Sequence, residues 1–260
     1  MTDNKHDTPP LLSINNLKKI FATPDQGGKT VLPCLNFEVW PSDFICILGP
    51  SGCGKSTLLR CIASFENYEG NIFLQKELLQ RPGADRIMVF QDFNQLFPWK
   101  TIKENIKYPF IVQKIHDKKT INEIASIYLA KVGLAEFGNY YPHQLSGGMK
   151  QRAAIARAIA LKPQIILMDE PFASLDAITR GNLQQELLDV TDGENITVLF
   201  VTHNIQEALV LSSRIMVMAA TGAIIIDEAN EIERPATPKS SNFAKLWDRY
   251  SFALGKKFTH

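Results

Sequence analysis

Cysteine is scarce in this 260-residue sequence: Cys34, Cys46, Cys53 and Cys61 are the four, and no CxxC pair occurs among them. That spacing gives no zinc-site signature and no disulfide framework, so reduced thiols are expected. Long apolar runs are missing as well. A membrane helix needs about 20 predominantly apolar residues, whereas Arg157 and Lys162 interrupt the most apolar region, so no span is expected. Neither sign of charge is in surplus: 28 Lys and Arg stand against 27 Asp and Glu. The chain therefore has no global basic field for nucleic acid and no acidic tail, and no nucleic-acid partner is expected. The opening MTDNKHDTPP has neither an apolar core nor a small-residue cleavage site, so it does not read as a signal peptide and the protein is expected in the cytosol. Internal repeats and low-complexity segments are also absent.

What is present is a hydrophobic fraction of 45%, enough for a substantial core in one large domain or one domain with an insertion. From residue 11 to about 80 the texture is that of strands, LLSINNL, TVLPCLNFEVW, DFICIL and GNIFLQ, separated by Pro24, Gly27, Gly28 and Pro41. One helix interrupts them, starting in a glycine-rich loop and running through STLLRCIA. From 92 to about 145 the pattern turns aromatic and then helical: Phe93, Phe97, Pro98 and Trp99 precede TINEIASIYLAKVGL, with Gly133 as its expected C-cap. After 149, helices alternate with the apolar strands QIILM, ITVLFV and RIMVMA. Such alternation implies right-handed crossovers and a buried, mainly parallel sheet.

Three stretches carry chemistry. GPSGCGKST, residues 49–57, matches G-x-x-x-x-G-K-[ST] through Gly49, Gly54, Lys55 and Ser56, between an expected strand and an expected helix. The loop Gly49, Pro50, Ser51, Gly52, Cys53, Gly54 would turn backbone N–H groups towards phosphate oxygens at a helix N-terminus. Lys55 would reach the terminal phosphates, and the Ser56 hydroxyl would ligate Mg2+, followed by Thr57. The strand Ile165-Ile166-Leu167-Met168 ends in Asp169 and Glu170. Ligands sit beyond the carboxyl ends of parallel strands, which points Asp169 to the magnesium shell and Glu170 to the attacking water as a general base. Leu145-Ser146-Gly147-Gly148 opens a helix with Ser146 as N-cap and backbone N–H groups left uncovered, a second anion clamp with no evident anion in its own chain. Two single residues complete the set: Gln91 as a ligand of magnesium or water, and His203, after a strand, as a donor to the γ-phosphate. Either would ordinarily be structural; the accompanying motifs give them roles.

Taken in order, these residues resemble the ATP-binding cassette family over nearly the whole chain, from about 11 to 235. GPSGCGKST looks like its Walker A loop, Gln91 its Q-loop, LSGGM its signature, ILMDEP its Walker B strand, Ala173-Ser174-Leu175-Asp176 its D-loop and Val201-Thr202-His203 its switch histidine. The resemblance implies a P-loop α/β cassette with a mainly parallel core sheet, an N-terminal antiparallel β subdomain and an α-helical subdomain inserted at about 92–150. Residues 1–10 would be a flexible tail and 236–260 a C-terminal tail. It also implies ATP and Mg2+ as ligands and a second cassette, a homodimer, with each ATP held between one Walker A loop and the other copy's Ser146, Gly147, Gly148 and Asp176. PGADRIMVFQDFNQLFPWKTIKENI, residues 82–106, is similar to the importer branch for nitrate, sulfonate and taurine, with cassettes for pyrimidine precursors or bicarbonate close by. That branch implies an integral permease, an extracytoplasmic solute-binding protein and a peripheral position on the cytoplasmic face of the membrane. A soluble cassette remodelling nucleic acid or ribosomes, or an exporter motor, is the alternative; the short insertion, single cassette and balanced charge lean away from both. Four positions depart from the family pattern: Phe21 stands where the adenine-stacking ring is usually Tyr, Ser42-Asp43 replaces Gly-Glu, and Ser64 replaces a common Gly.

Overall fold

The computed structural model describes residues 8–22, 28–91, 95–114, 117–173, 175–232 and 240–255. Phe93, Ser174, the first seven residues and the linker after Arg234 lie outside them. The chain divides into two compact units, residues 1–83 with 197–260, and residues 84–196.

In the first unit, β1 (Leu12–Phe21) pairs antiparallel with β2 (Lys29–Val39) on one side and β4 (Glu69–Leu74) on the other; β5 (Glu77–Leu78) closes the order β2-β1-β4-β5. Leu12, Ile14, Leu17 and Lys19 of β1 face inward, with a register shift between Ile14 and Leu17 that changes the parity of the alternation. A second sheet is centred on β3 (Phe44–Leu48), whose five residues are all buried. β3 lies parallel to both β8 (Thr197–Thr202) and β9 (Arg214–Met218), while β10 (Ile224–Ala229) runs antiparallel to β9. The near-continuous apolar runs of β3 and β8 suit strands covered on both faces. β10 alternates half-buried and exposed residues, as a partly solvated strand does. Among the described residues of this unit the helices are α1 (Lys55–Ile62), α6 (Ile205–Leu211) and α7 (Phe243–Ala253). α7 packs on α6 and buries Phe243, Leu246 and Tyr250, and Glu228 of β10 fastens it by accepting from the Tyr250 hydroxyl at 2.8 Å and Arg249 at 2.6 Å.

The second unit holds a parallel pair, β6 (Arg86–Val89) and β7 (Ile165–Asp169), with α2 (Ile102–Gln113), α3 (Lys118–Lys131) and α4 (Gly147–Ala160) packed on one another and α5 (Ala177–Gly193) against α4. The aromatic segment before α2 is held by buried Asn105, whose amide accepts from the Phe97 N–H at 2.7 Å and donates to the carbonyls of Phe97, Lys100 and Thr101. α3 ends one residue earlier than the glycine suggested: Val132 occupies the cap, and Gly133 follows at φ +65°. Glu194, after α5, gathers Lys131 at 2.6 Å, Lys162 at 3.0 Å and the Tyr128 hydroxyl at 3.1 Å. Those donors, Lys131 foremost, pull its carboxyl down to about 2. The architecture is the expected α/β class, a mixed sheet beside an antiparallel one with several helices.

Candidate functional site

Each unit carries one half of the sequence-predicted set. In the first, the loop leaves β3 at Leu48 and enters α1 at Lys55. Gly54 occupies the helix N-cap at φ 109° and ψ 7°, with no side chain to cap the first turn. A Cβ there would meet Val31 Cγ1 at 2.9 Å and the Val31 carbonyl at 3.1 Å, so both conformation and space select glycine. The N–H groups of that first turn have no intrahelical acceptor, which is the arrangement an anion completes. Lys55 is only 5% exposed, and its ammonium donates back to the carbonyls of Gly49 at 2.9 Å and Pro50 at 3.0 Å. The cation is thus held inside the loop that it would serve. Cys53 is also buried there, and burial pushes its thiol up despite the pull of Lys55. Ser51 and Gly52 are exposed, Pro50, Ser56 and Thr57 half-buried.

The strand pairing Leu48↔Thr202 brings His203 to the same end of the sheet as this loop. His203 is exposed at the start of a turn fixed by its neighbours: the Thr202 hydroxyl accepts from the Asn204 N–H at 3.0 Å and donates to Glu207 at 2.6 Å. Asn204 caps α6. Glu207, buried, was not singled out from sequence, although Asn204-Ile205-Gln206-Glu207 has capping-box spacing that makes it legible. Phe21 closes β1, is 38% exposed, and pairs with Lys29, two residues before the Val31 that touches Gly54.

In the second unit, the parallel register Val89↔Met168 brings Gln91 and Glu170 to the same end of β6 and β7. Asp169 is buried at the last position of β7. Glu170 takes φ +45°, a left-handed conformation that costs a non-glycine residue about 1–2 kcal/mol. Strain of this kind collects where a side chain has to be aimed. Past β6 the chain is turned by Gln95, whose amide accepts from the Phe90 N–H at 3.3 Å and donates to the Phe90 carbonyl at 3.2 Å, leaving Gln91 exposed. α4 starts at Ser146, whose hydroxyl accepts from the Met149 N–H at 3.3 Å; Ser146 and Gly147 are exposed. Gly148 is buried against α5, where a Cβ would stand 2.9 Å from Thr179 Cγ2. Asp176 caps α5 by accepting from the N–H groups of Ile178 and Thr179, and the Thr179 hydroxyl foremost, with those N–H groups, holds its carboxyl below the usual aspartate range.

A glycine loop between a buried strand and an uncapped helix, in an α/β fold, defines a phosphate-binding nucleotide protein. The chain belongs to the ABC transporter family, whose profile matches residues 32–173. It is 39% identical over 250 residues to the nitrate import ATP-binding protein NrtD of Synechococcus elongatus, covering 93% of this chain and 90% of that one. The aliphatic sulfonates import ATP-binding protein SsuB of Bacillus cereus is 40% identical over 237 residues, 90% of this chain and 92% of its own. Among solved structures, a dimeric ATP-binding cassette in a post-hydrolysis state bound to ADP and Pi superposes with a TM-score of 0.76 at 31% identity, over 85% of this chain and 99% of that one.

Proposed function

We propose that this protein binds ATP at residues 49–57, hydrolyses it to ADP and phosphate, and so energises a membrane importer for a small solute such as nitrate, a sulfonate, taurine or bicarbonate. The observation that carries the ATP reading is the start of α1: a left-handed glycine replaces a capping side chain, and a buried lysine is turned back into the same loop. The import reading rests on the likeness to NrtD and SsuB.

The loop amides and Lys55 would bind the phosphates, and Phe21 would stack on the adenine. Ser56, Asp169 and Gln91 present oxygen donors, the hard set that suits Mg2+. Bound with the nucleotide, Mg2+ would supply charge neutralisation at the phosphates. Glu170 takes the proton of the attacking water, whose oxygen bonds to the γ-phosphorus as the bond to the β-phosphate oxygen breaks. His203 donates to the γ-phosphate and holds it in line. Ser146, Gly147, Gly148 and Asp176 serve the nucleotide of a second copy, in a two-fold interface that closes on itself. No helix among the described residues is long and apolar enough to cross a membrane. The importer reading therefore adds a separate integral permease, fed by an extracytoplasmic solute-binding protein, with this subunit on its cytoplasmic face. ATP moves such a partner between states only by binding the closed pair more tightly than the open one.

Glu170→Gln tests the chemistry. Hydrolysis should fall by about 10² or more while ATP binding survives; turnover at the parental rate would remove Glu170 as the base. The same variant, purified with ATP from native membranes in mild detergent, should bring down an integral permease. Soluble proteins or RNA in its place would sink the import reading.

A further inference from the structure

Phe21 lacks the hydroxyl by which a tyrosine ring can be tethered, yet β1 supplies another means of fixing it. Lys19 lies two residues earlier on the same face of the strand and is 8% exposed. A lysine ammonium so deeply placed has to be partnered. Here it donates to the Glu66 carboxylate at 3.0 Å and the Asn67 carbonyl at 2.7 Å, both in the connection between α1 and β4. Its Nζ sits 4.5 Å from the centroid of the Phe21 ring. The pairs Lys19↔Leu32 and Phe21↔Lys29 hold both side chains beside the stretch of β2 that backs onto Gly54, where a Cβ would meet Val31 at 2.9 Å and Leu32 at 3.1 Å. A cation, an aromatic ring and the phosphate loop are thereby lined up in one unit.

We propose that Lys19 is a positioning and specificity-determining residue for the adenine ring, acting through Phe21. This rests on the reading of Phe21 as the stacking platform. The ammonium fixes the tilt of the ring and draws π density towards itself. The ring, 38% exposed, then offers an electron-poorer face to an electron-rich purine. Glu66 and Asn67 keep the ammonium in place when no base is bound.

The test compares ligands with and without a base, using the full chain, Mg2+ and calorimetric Kd values for ATP and for inorganic tripolyphosphate. Lys19→Met should weaken ATP by about three- to tenfold and leave tripolyphosphate within about twofold, while Lys19→Arg, which keeps the cation, should restore ATP to within about twofold. Glu66→Gln, which leaves β1 intact, should move ATP in the same direction by less. Equal weakening of both ligands by Lys19→Met would mean that Lys19 only braces the fold and would overturn the proposal, as would unchanged ATP affinity. Phe21→Ala separates the two levels of the argument. If it weakens ATP while Lys19→Met does not, the platform stands and the role of Lys19 falls; if it leaves ATP affinity intact, the platform and the proposal fall together.

Discussion

The starts of α1 and α4 both carry glycines, in the loop before α1 and in the first turn of α4, and they are finished in opposite ways. α4 begins at Ser146, whose hydroxyl takes up the Met149 N–H in an ordinary N-cap. α1 begins at Gly54, which has no side chain to offer. Capping is the habit elsewhere in the chain: Thr101 and Glu104 form a capping box on α2, and Asp117, Asp176 and Asn204 cap α3, α5 and α6. α7, opened by Asn242 in the left-handed region, is the other described α-helix without a side-chain cap. α1 is therefore uncapped against the local rule, and with Lys55 buried beside it the omission reads as a place kept for a ligand of its own chain. α4 already has its cap and offers an anion only what that cap leaves over, backbone amides and a hydroxyl hydrogen. A helix start built that way suits a ligand brought by another molecule.

Gly54→Ala attacks that contrast where the effect should be largest. The substitution puts a Cβ at φ 109° and 2.9 Å from Val31. Backbone strain alone should remove about 1–3 kcal/mol of stability, a fall in Tm of several degrees. ATP affinity should drop by about 10² or more, because the amides that face the phosphates move with residue 54. A Gly54→Ala protein that binds ATP as the parent does would show that the uncapped start of α1 has no part in phosphate binding.

Ser146→Ala has a smaller expected effect and a different signature. Loss of the cap should cost about 1 kcal/mol, or roughly 2–4 °C in Tm, and ATP affinity of the isolated subunit should be unchanged. Hydrolysis should fall under conditions where two copies meet. Thr101→Ala, a cap of similar chemistry on α2, should lose comparable stability and keep its hydrolysis rate. Equal rates in the two variants would reduce Ser146 to a cap.

The contrast also marks what could be read from the residues. The loop was legible because strand, glycines, lysine and helix are contiguous, so local spacing carries nearly all the information. The Asp169-Glu170 strand exit was legible for the same reason, and the buried runs of β3, β7 and β8 follow from apolar composition. The conformation of Glu170 was not, because φ +45° is imposed by the chain around it and leaves no compositional mark. Ser42 and Ser64 stand where the family pattern has glycine; at φ +63° and +59° they occupy the conformation that favours it, which explains the usual residue. The register shift in β1 hid Lys19, since strict alternation from Ile14 would turn residue 19 outward. Long-range partners, such as Glu66 for Lys19 and Glu194 for Lys131 and Lys162, have no sequence signal in a single chain.

The smallest expected effect separates the caps that titrate from those that cannot. Asp117 accepts from the Thr120 hydroxyl at 2.6 Å, the Thr120 N–H at 3.0 Å and the Lys119 N–H at 2.8 Å, and these bonds hold its carboxyl below the usual aspartate value. A depressed carboxyl stabilises the folded chain fully above the unfolded value, about 3.9, and that contribution disappears as pH falls through the lower folded value. Asn caps nearly as well as Asp but carries no charge. Parent and Asp117→Asn should therefore differ slightly in Tm near pH 7, with the parent higher, and the gap should narrow as pH falls below about 3.9 and through the lower folded value. A gap that persists unchanged to pH 3 would mean that the carboxylate charge contributes nothing at the start of α3. The comparison would then rest on hydrogen-bond geometry alone, which at Gly54 the backbone has to provide without a side chain.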